Sequence, residues 1–358
     1  MSKRLLDIYT DYLICQTKYA TATGLSDLLD GEISHDQVTR FLNKQKFSSK
    51  ALWEEVKPHV KQYSSCSGGV LILDDCIEEK PYTDENEIMC WHFSHAKGCH
   101  VKGVNILSCL VRYGNISFPV GYELIHKDIE FCDIETKQVK RKASVTKNEH
   151  FRSLIDRCIK NNVSFDYVLA DNWFGAKDNL SYIHHDLNKK FIIGIKSNRT
   201  VALSLNDKIT GQFQQVSSLE LKDGQSMEVY LKGLEFPLKL IKKIFTNENG
   251  SIGHLYLVSN DLNQDAEHIY SIYQKRWNVE EYHKSIKQNT SLAKSPTKTV
   301  VSQSNHIFAS ILAFCKLELL KIKQATNHFA LKYKLIIAAN KAAWQEFNNL
   351  TMNLNTSA

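Results

Sequence analysis

The chain has 358 residues, 43% hydrophobic and 23% charged, a mixture that excludes disordered and fibrous classes and provides for two or three domains. A net charge of +6 permits a polyanionic partner such as nucleic acid without requiring one. Nine scattered cysteines, the lack of an N-terminal signal peptide, and the lack of any apolar run near the roughly 20 residues of a membrane span argue against secreted and membrane proteins, so a soluble protein of the reduced cytoplasm is expected.

Residues 1–63 read as a separate helical domain. Leu5, Ile8, Tyr9, Tyr12 and Leu13 recur at helical spacing, and Leu25, Leu28 and Leu29 begin a second helix that Gly31 ends. Ser34 with Gln37 three residues on is a capping-box pattern, opening a helix whose polar positions carry His35, Gln37, Thr39, Arg40 and Asn43. A helix, a glycine turn and a polar helix suit a helix-turn-helix reader of DNA, with Arg40 and Asn43 as candidate base contacts; a plain helical bundle fits the same pattern. A helix over 49–63 leads into residues 64–69, Ser-Ser-Cys-Ser-Gly-Gly, the clearest linker in the chain.

Residues 70–73, Val-Leu-Ile-Leu, have the pattern of a buried central strand, with Asp74 and Asp75 at its end. Strand side chains alternate, so only one of these acids shares a face with a given site. A lone acid at a strand end is ordinarily a turn or cap residue. Cys90, His92, His95, Cys99 and His100 match no zinc spacing and are read as a chance cluster. Residues 103–111 and 116–124 read as a hairpin turning at Tyr113-Gly-Asn115. Lys140, Arg141, Lys142, Lys147, Arg152 and Arg157 then form a basic patch over a loop and a helix capped by Thr146 and Glu149. A solvated helix face and a phosphate-contacting surface both account for it.

Residues 165–170 repeat the grammar of the first strand, ending in Asp171, and are followed by a helix over about 176–185 and a strand at 191–195. From 197 to 264 the runs are β-type, including 227–231, 238–244 and 254–259, separated by Asp-Gly and Asn-Gly turns. Residues 273–287 then read as one amphipathic helix. Ile272, Val279, Tyr282 and Ile286 share one side, Gln274, Asn278, Glu281 and Ser285 the other, and a narrow row of Tyr273, Arg276, Glu280, Lys284 and Lys287 lies between. Ordinary i,i+4 ion pairs account for that row; a catalytic carboxylate among phosphate-holding groups accounts for it if other acids converge there. A lysine-bearing loop over 288–298 and an apolar helix over 300–320 follow, with His306 read as packed rather than catalytic. The tail over 321–358, basic and amphipathic through Trp344, suits packing, a partner subunit or DNA.

The spacing Tyr-x2-Arg-x3-Glu-x6-Lys, met by Tyr273, Arg276, Glu280 and Lys287, resembles the signature of the YREK group of bacterial insertion-sequence transposases, DDE enzymes with an RNase H-like catalytic fold. Trp277 and the run Glu281-Tyr282-His283-Lys284 are similar to that group as well. The resemblance covers residues 70–320 well and the N-terminal region loosely. Its first-aspartate pattern, Asp-x-Thr or Asp-x-Ser, falls on Asp74-Asp75-Cys76 with a departure at Cys76, and Asp171-Asn-Trp-Phe-Gly175 is similar to its second.

The resemblance implies an α/β protein: an RNase H-like mixed sheet over 70–320 with a β-rich insertion at about 197–264, a small all-α N-terminal domain and a helical C-terminal region. It implies that Asp74, Asp171 and Glu280 are catalytic and hold two metal ions, and three hard oxygen donors suit Mg²⁺ or Mn²⁺ better than zinc. Tyr273, Arg276, Trp277, Lys284 and Lys287 become candidate DNA contacts. The implied partners are double-stranded DNA, as terminal inverted repeats and target, and a second copy of the chain in the DNA complex, which would be nucleoid-associated. A domesticated DNA-binding protein without catalysis and an RNase H-like nuclease without strand transfer are the alternatives.

Overall fold

The structure is a computed structural model and describes residues 2–44, 46–64 and 68–356. Residues 65–67, in the middle of the expected linker, lie outside the described residues. Two compact units are present: a sheet unit of Trp53–Cys76 and Asn105–Glu280, and a helical unit of Met1–Leu52, Ile77–Val104 and Glu281–Ala358.

Four helices come first: α1 (Ser2–Cys15), α2 (Ala22–Leu28), α3 (His35–Lys44) and α4 (Ser49–Ser64). The Ser34–Gln37 box closes in both directions at the start of α3, satisfying two backbone N–H groups that the helix itself leaves open. Strands β1 (Val70–Glu79), β2 (Met89–Ser94), β3 (Cys99–Tyr113) and β4 (Ile116–Leu124) follow, then a two-stranded ribbon of β5 (Ile129–Cys132) and β6 (Val139–Lys142), and α5 (Lys147–Lys160), which the Thr146–Glu149 box caps. Next are β7 (Tyr167–Ala170), α6 (Lys177–Ser181), β8 (Lys190–Ile195), β9 (Thr200–Ala202), α7 (Leu205–Thr210) and β10 (Gln214–Gln215). The chain continues through β11 (Ser226–Leu231), β12 (Leu238–Thr246) and β13 (Ile252–Ser259) to α8 (Ala266–Gln274), α9 (Trp277–Gln288), α10 (Val300–Gln324) and α11 (His328–Thr356).

In the sheet unit the strands run in the order β10-β9-β11-β12-β13-β8-β7-β1-β3, with β4 paired to β3. β1, β7 and β8 are parallel neighbours, and β3 and β4 form an antiparallel hairpin. Strands β4-β3-β1-β7-β8 are thus the mixed sheet of an RNase H-like fold. The apolar runs of β1, β7 and β8 are buried on both faces, as parallel strands covered on either side require. Strands β9 to β13 extend that sheet, since β13 pairs antiparallel with β8 from Tyr256↔Ile195 to Ser259↔Ile192.

Three local expectations change. β1 does not end at Leu73 but runs to Glu79, and Gly103 makes room beside its last residues: a Cβ there would lie 2.2 Å from the Glu78 carbonyl oxygen. The loop assigned to the basic patch is partly the β5–β6 ribbon, turned by Asp133, whose Oδ1 accepts from both the backbone and the hydroxyl of Thr136. The single helix expected over 273–287 is broken between α8 and α9. At the break the N–H groups of Lys275, Arg276, Asn278 and Val279 each reach back three residues instead of four, a tightened turn that interrupts the ideal projection.

In the helical unit α1 and α3 pack on α10. The Tyr9 hydroxyl lies 2.9 Å from Nδ1 of His306, Phe47 stacks on Phe308 at 4.4 Å, and the Asn305 amide donates to the Leu42 carbonyl at 2.7 Å. His306 is buried, with Nε2 3.0 Å from the Ser291 carbonyl, and burial brings its pKa down to about 4. β2 pairs with the first part of β3, from Met89↔Val104 to Ser94↔Cys99. No helix among the described residues is long and apolar enough to cross a membrane.

Candidate active site

The pairing register of two strands brings the first two acids together. β1 and β7 are paired through Leu73↔Ala170, and the next residue on each chain is an aspartate, Asp74 and Asp171. Neighbouring strands are about 5 Å apart, so the two side chains leave adjacent parallel strands beside one another. Asp171 caps a short 3₁₀ turn, Asn172–Phe174, by accepting from the Trp173 N–H at 3.0 Å. That turn lies on β8 where Gly194 has no side chain, since a Cβ at Gly194 would lie 3.0 Å from the Asn172 nitrogen.

Alternation separates Asp74 from its neighbour. Asp74 is buried and receives Nη1 of Arg276 at 3.2 Å, whereas both oxygens of Asp75 are 2.9 Å from the Lys147 ammonium and one also accepts from the Asn105 amide. Arg276 sits in the break between α8 and α9, and its Nη1 also lies 3.4 Å from Glu280, one turn further on. A carboxylate oxygen of Asp74 and one of Glu280 lie within 4.8 Å of each other. Glu280 is in the first turn of α9, where the helix dipole favours a carboxylate.

Crowding governs the protonation of this cluster. Burial and then the charge of Asp171 push the Asp74 carboxyl up to about 8, with Arg276 opposing and Glu280 and Asp75 adding to the rise. Asp171 is likewise raised by burial, against the Trp173 N–H and Arg276. Burial acts to lower the pKa of Arg276, but Tyr273, Asp74, Glu280 and Asp171 outweigh it, so its proton is held more tightly than usual. Nε of Arg276 is buried with no hydrogen-bond partner among the described residues. Carboxylates that repel one another suit a hard divalent cation, and added positive charge would restore the ionised form of Asp74.

The remaining candidates are dispersed. Tyr273 is buried, its hydroxyl 3.4 Å from the carbonyl of Ala170, the residue before Asp171. Trp277 is 64% exposed, its ring centroid 5.5 Å from the Arg276 guanidinium. In the helical unit Lys284 lies 5.1 Å over the ring of Phe329, and Lys287 donates to the Ile77 carbonyl at 2.7 Å with the Glu78 carboxylate 4.0 Å away. Arg40 is exposed on α3 with Nε 3.3 Å from the Asp36 carbonyl, and Asn43 accepts from the Thr299 hydroxyl at 3.3 Å. Much of the basic patch is engaged within the chain: Lys140 with Asp133, Arg141 with Glu130, Lys147 with Asp75, Arg152 with Asn179 and Arg157 with Glu123.

One feature beside Asp171 has no motif to announce it. Asn148, Trp173, Lys196 and Arg199 help to line a cavity of about 270 Å³ next to the 3₁₀ turn. The available signal is position: Lys196 directly follows the carboxyl end of β8, a third buried parallel strand, where sites in such sheets gather.

A family model described as DDE superfamily endonuclease matches residues 1–209, and one described as Transposase DDE domain matches residues 132–315. No curated protein matches the chain.

Proposed function

Because the chain belongs to the DDE superfamily of transposases and endonucleases, and is therefore an enzyme acting on DNA, we propose that it cleaves phosphodiester bonds at transposon ends and transfers the resulting 3′-OH to target DNA. The observation that carries this reading is that Asp74 and Glu280 both contact the Arg276 guanidinium while Asp171 leaves the strand paired beside Asp74. Two Mg²⁺ or Mn²⁺ ions held by these three carboxylates would supply Lewis-acid activation of the attacking oxygen and stabilisation of the leaving one.

The residues around the carboxylates have separable tasks. Tyr273 fixes the end of β7 through the Ala170 carbonyl and so positions Asp171. Arg276 holds Asp74 and Glu280 in the protein without DNA, and its planar fork suits a phosphate oxygen pair once DNA arrives. Trp277, exposed beside Arg276, offers an aromatic face to an unpaired base. Lys284 and Lys287 add point charges for the DNA backbone, and Arg40 and Asn43 of α3 read the terminal inverted repeats in a helix-turn-helix over residues 1–63. The row from Tyr273 to Lys287 favours the YREK group within the superfamily, and two copies of the chain would act on the paired ends at the nucleoid.

The test is an assay of DNA carrying the element's own terminal repeats in Mg²⁺, in Ca²⁺ and in excess chelator. Cleavage followed by joining is expected in Mg²⁺, and binding without cleavage in Ca²⁺. Robust cleavage in chelator would overturn the metal chemistry. Cleavage that never leads to joining would leave a nuclease, and binding without cleavage in every metal would leave a DNA-binding protein that has lost catalysis.

A further inference from the structure

The ladder between β1 and β7 closes at Leu73↔Ala170, one residue short of Asp74 and Asp171. The spacing of the two acids therefore falls to contacts made beyond the ladder, against the repulsion of two like charges.

One cation joins the chain just past the first acid to the turn just past the second. Lys147, the first residue of α5, has its ammonium 2.9 Å from both oxygens of Asp75 and 4.8 Å from the ring centroid of Trp173. Asp75 directly follows Asp74, and Trp173 gives its backbone N–H to the Asp171 carboxylate at 3.0 Å. Each end of this bridge is held in turn. The Asn105 amide of β3 donates to Asp75 at 2.7 Å, and Trp173 belongs to the 3₁₀ turn that lies on β8 at Gly194. The root of Lys147 is fixed too, because the Thr146–Glu149 box caps α5 at the preceding residue. The side chains of Lys147 and Asp75 are 23% and 17% exposed, so water screens this pair less than an ion pair on the open surface.

An isolated ion pair would account for Asp75 alone. The contact with Trp173, made by the same ammonium, ties that pair to the turn that Asp171 caps. We propose that Lys147 is a positioning residue that clasps the ends of β1 and β7 through Asp75 and Trp173, and so holds Asp74 and Asp171 at the spacing a divalent cation requires. The inference rests on the reading of Asp74 and Asp171 as metal ligands and adds the device that sets their separation. It also gives Asp75 a task apart from the ligands: both its oxygens are taken by Lys147, and its charge is balanced instead of adding to the repulsion between its neighbours. A clasp differs from a phosphate contact in what its loss does. Without the clasp metal affinity falls and DNA affinity stays, whereas loss of a phosphate contact weakens DNA binding and flattens its salt dependence.

The test is calorimetric titration of Mn²⁺ into the full chain without DNA, with folding of each variant matched by near-ultraviolet circular dichroism. Lys147→Met should bind Mn²⁺ about tenfold more weakly, the low end of the effect of residues that orient metal ligands. Lys147→Arg keeps the charge and can still lie on the ring, so it should retain most of the affinity. Trp173→Ala should weaken binding and Trp173→Phe should spare much of it, while both keep the N–H that Asp171 accepts. The pair of substitutions Asp75→Asn and Lys147→Met removes both charges without rebuilding the bridge and should stay weak. In fluorescence anisotropy with duplex DNA in chelator, Lys147→Met should bind as tightly as wild type. A wild type that binds no Mn²⁺ would overturn the metal reading and the clasp with it. A wild type that binds Mn²⁺ beside a Lys147→Met variant that binds it equally well would overturn the clasp alone. Wild-type affinity in the doubly substituted chain would reduce Lys147 to a counter-charge for Asp75, and loss of DNA affinity with metal affinity intact would make it a phosphate contact; either result overturns the proposal.

Discussion

The guanidinium of Arg276 lies 3.2 Å from the carboxylate of Asp74, although the two residues are 202 positions apart in the chain. The contact depends on the break between α8 and α9, which places Arg276 in a tight turn rather than on a regular helical face. Arg276 is the cation among acids whose burial and mutual repulsion push Asp74 up to about 8. Removing one partner of a buried ion pair leaves an uncompensated charge and typically costs about 3–5 kcal/mol. Because Asp74, with its carboxyl up to about 8, avoids much of that cost by keeping its proton, Arg276→Gln is expected to lower the unfolding free energy of the metal-free protein in urea at neutral pH by less than that range, and millimolar Mg²⁺ should recover part of the loss. A variant as stable as wild type in chelator would mean that the cluster is balanced by other groups.

Glu280 and Glu281 are adjacent and chemically alike, but Glu280 belongs to the ligand group with Asp74 and pairs with Arg276. Glu280→Gln keeps the size and helix propensity of the side chain and removes the charge that a metal requires. Its Mg²⁺-dependent DNA cleavage should fall by orders of magnitude while DNA binding persists. Glu281→Gln should remain substantially active. Both proteins are to be compared for excision on the same end-bearing DNA after their folding is matched by circular dichroism. The reverse pattern would move the third carboxylate by one position and remove the main support for the YREK reading.

These two cases show where the sequence is legible. The acids at the ends of two apolar runs could be seen because burial of β1 and β7 imposes a continuous hydrophobic pattern that stops at Asp74 and Asp171. Capping boxes are legible because they are local: the Ser34–Gln37 and Thr146–Glu149 pairs are written within four residues. The helix break at Lys275 and Arg276 carries no Gly or Pro and is therefore invisible to propensity. The extension of β1 past Leu73 is equally hidden, because it depends on Gly103 some thirty residues later. Individual partners, such as Lys147 for Asp75, are long-range matters that spacing does not encode.

Arg40 offers a test of DNA reading by α3. Its guanidinium touches only its own helix among the contacts described, through the Asp36 carbonyl, so Arg40→Ala should leave the fold intact. If Arg40 reads a base, the substitution should cost about 1–3 kcal/mol in binding to the terminal repeat and much less on unrelated DNA, with little change in the salt slope. Fluorescence anisotropy on both DNAs at two salt concentrations separates the outcomes. Equal losses on both would make Arg40 a phosphate contact.

His306 gives the helical unit a pH dependence whose sign can be worked out. In the folded chain Nδ1 receives the Tyr9 hydroxyl and Nε2–H donates to the Ser291 carbonyl, an arrangement that suits the neutral ring, and burial brings the pKa from 6.5 to about 4. Below pH 6.5 the unfolded chain therefore binds a proton that the folded chain does not. Unfolding is favoured by up to about 1.4 kcal/mol for each pH unit between those two values. The contribution of His306 is fully present above pH 6.5 and is lost progressively as the pH falls toward 4; below that both states are protonated and no further loss follows. Urea unfolding at steps from pH 7.5 to 4.5 should show wild-type stability falling more steeply than that of His306→Gln. The variant should be the weaker protein at pH 7.5, having lost a satisfied buried ring, yet the gap between the two should narrow with acid. Other titrating groups act on both proteins and cancel in the difference. Parallel curves would mean that the ring takes up its proton in the folded chain without penalty, and that the packing of α1 on α10 tolerates an imidazolium.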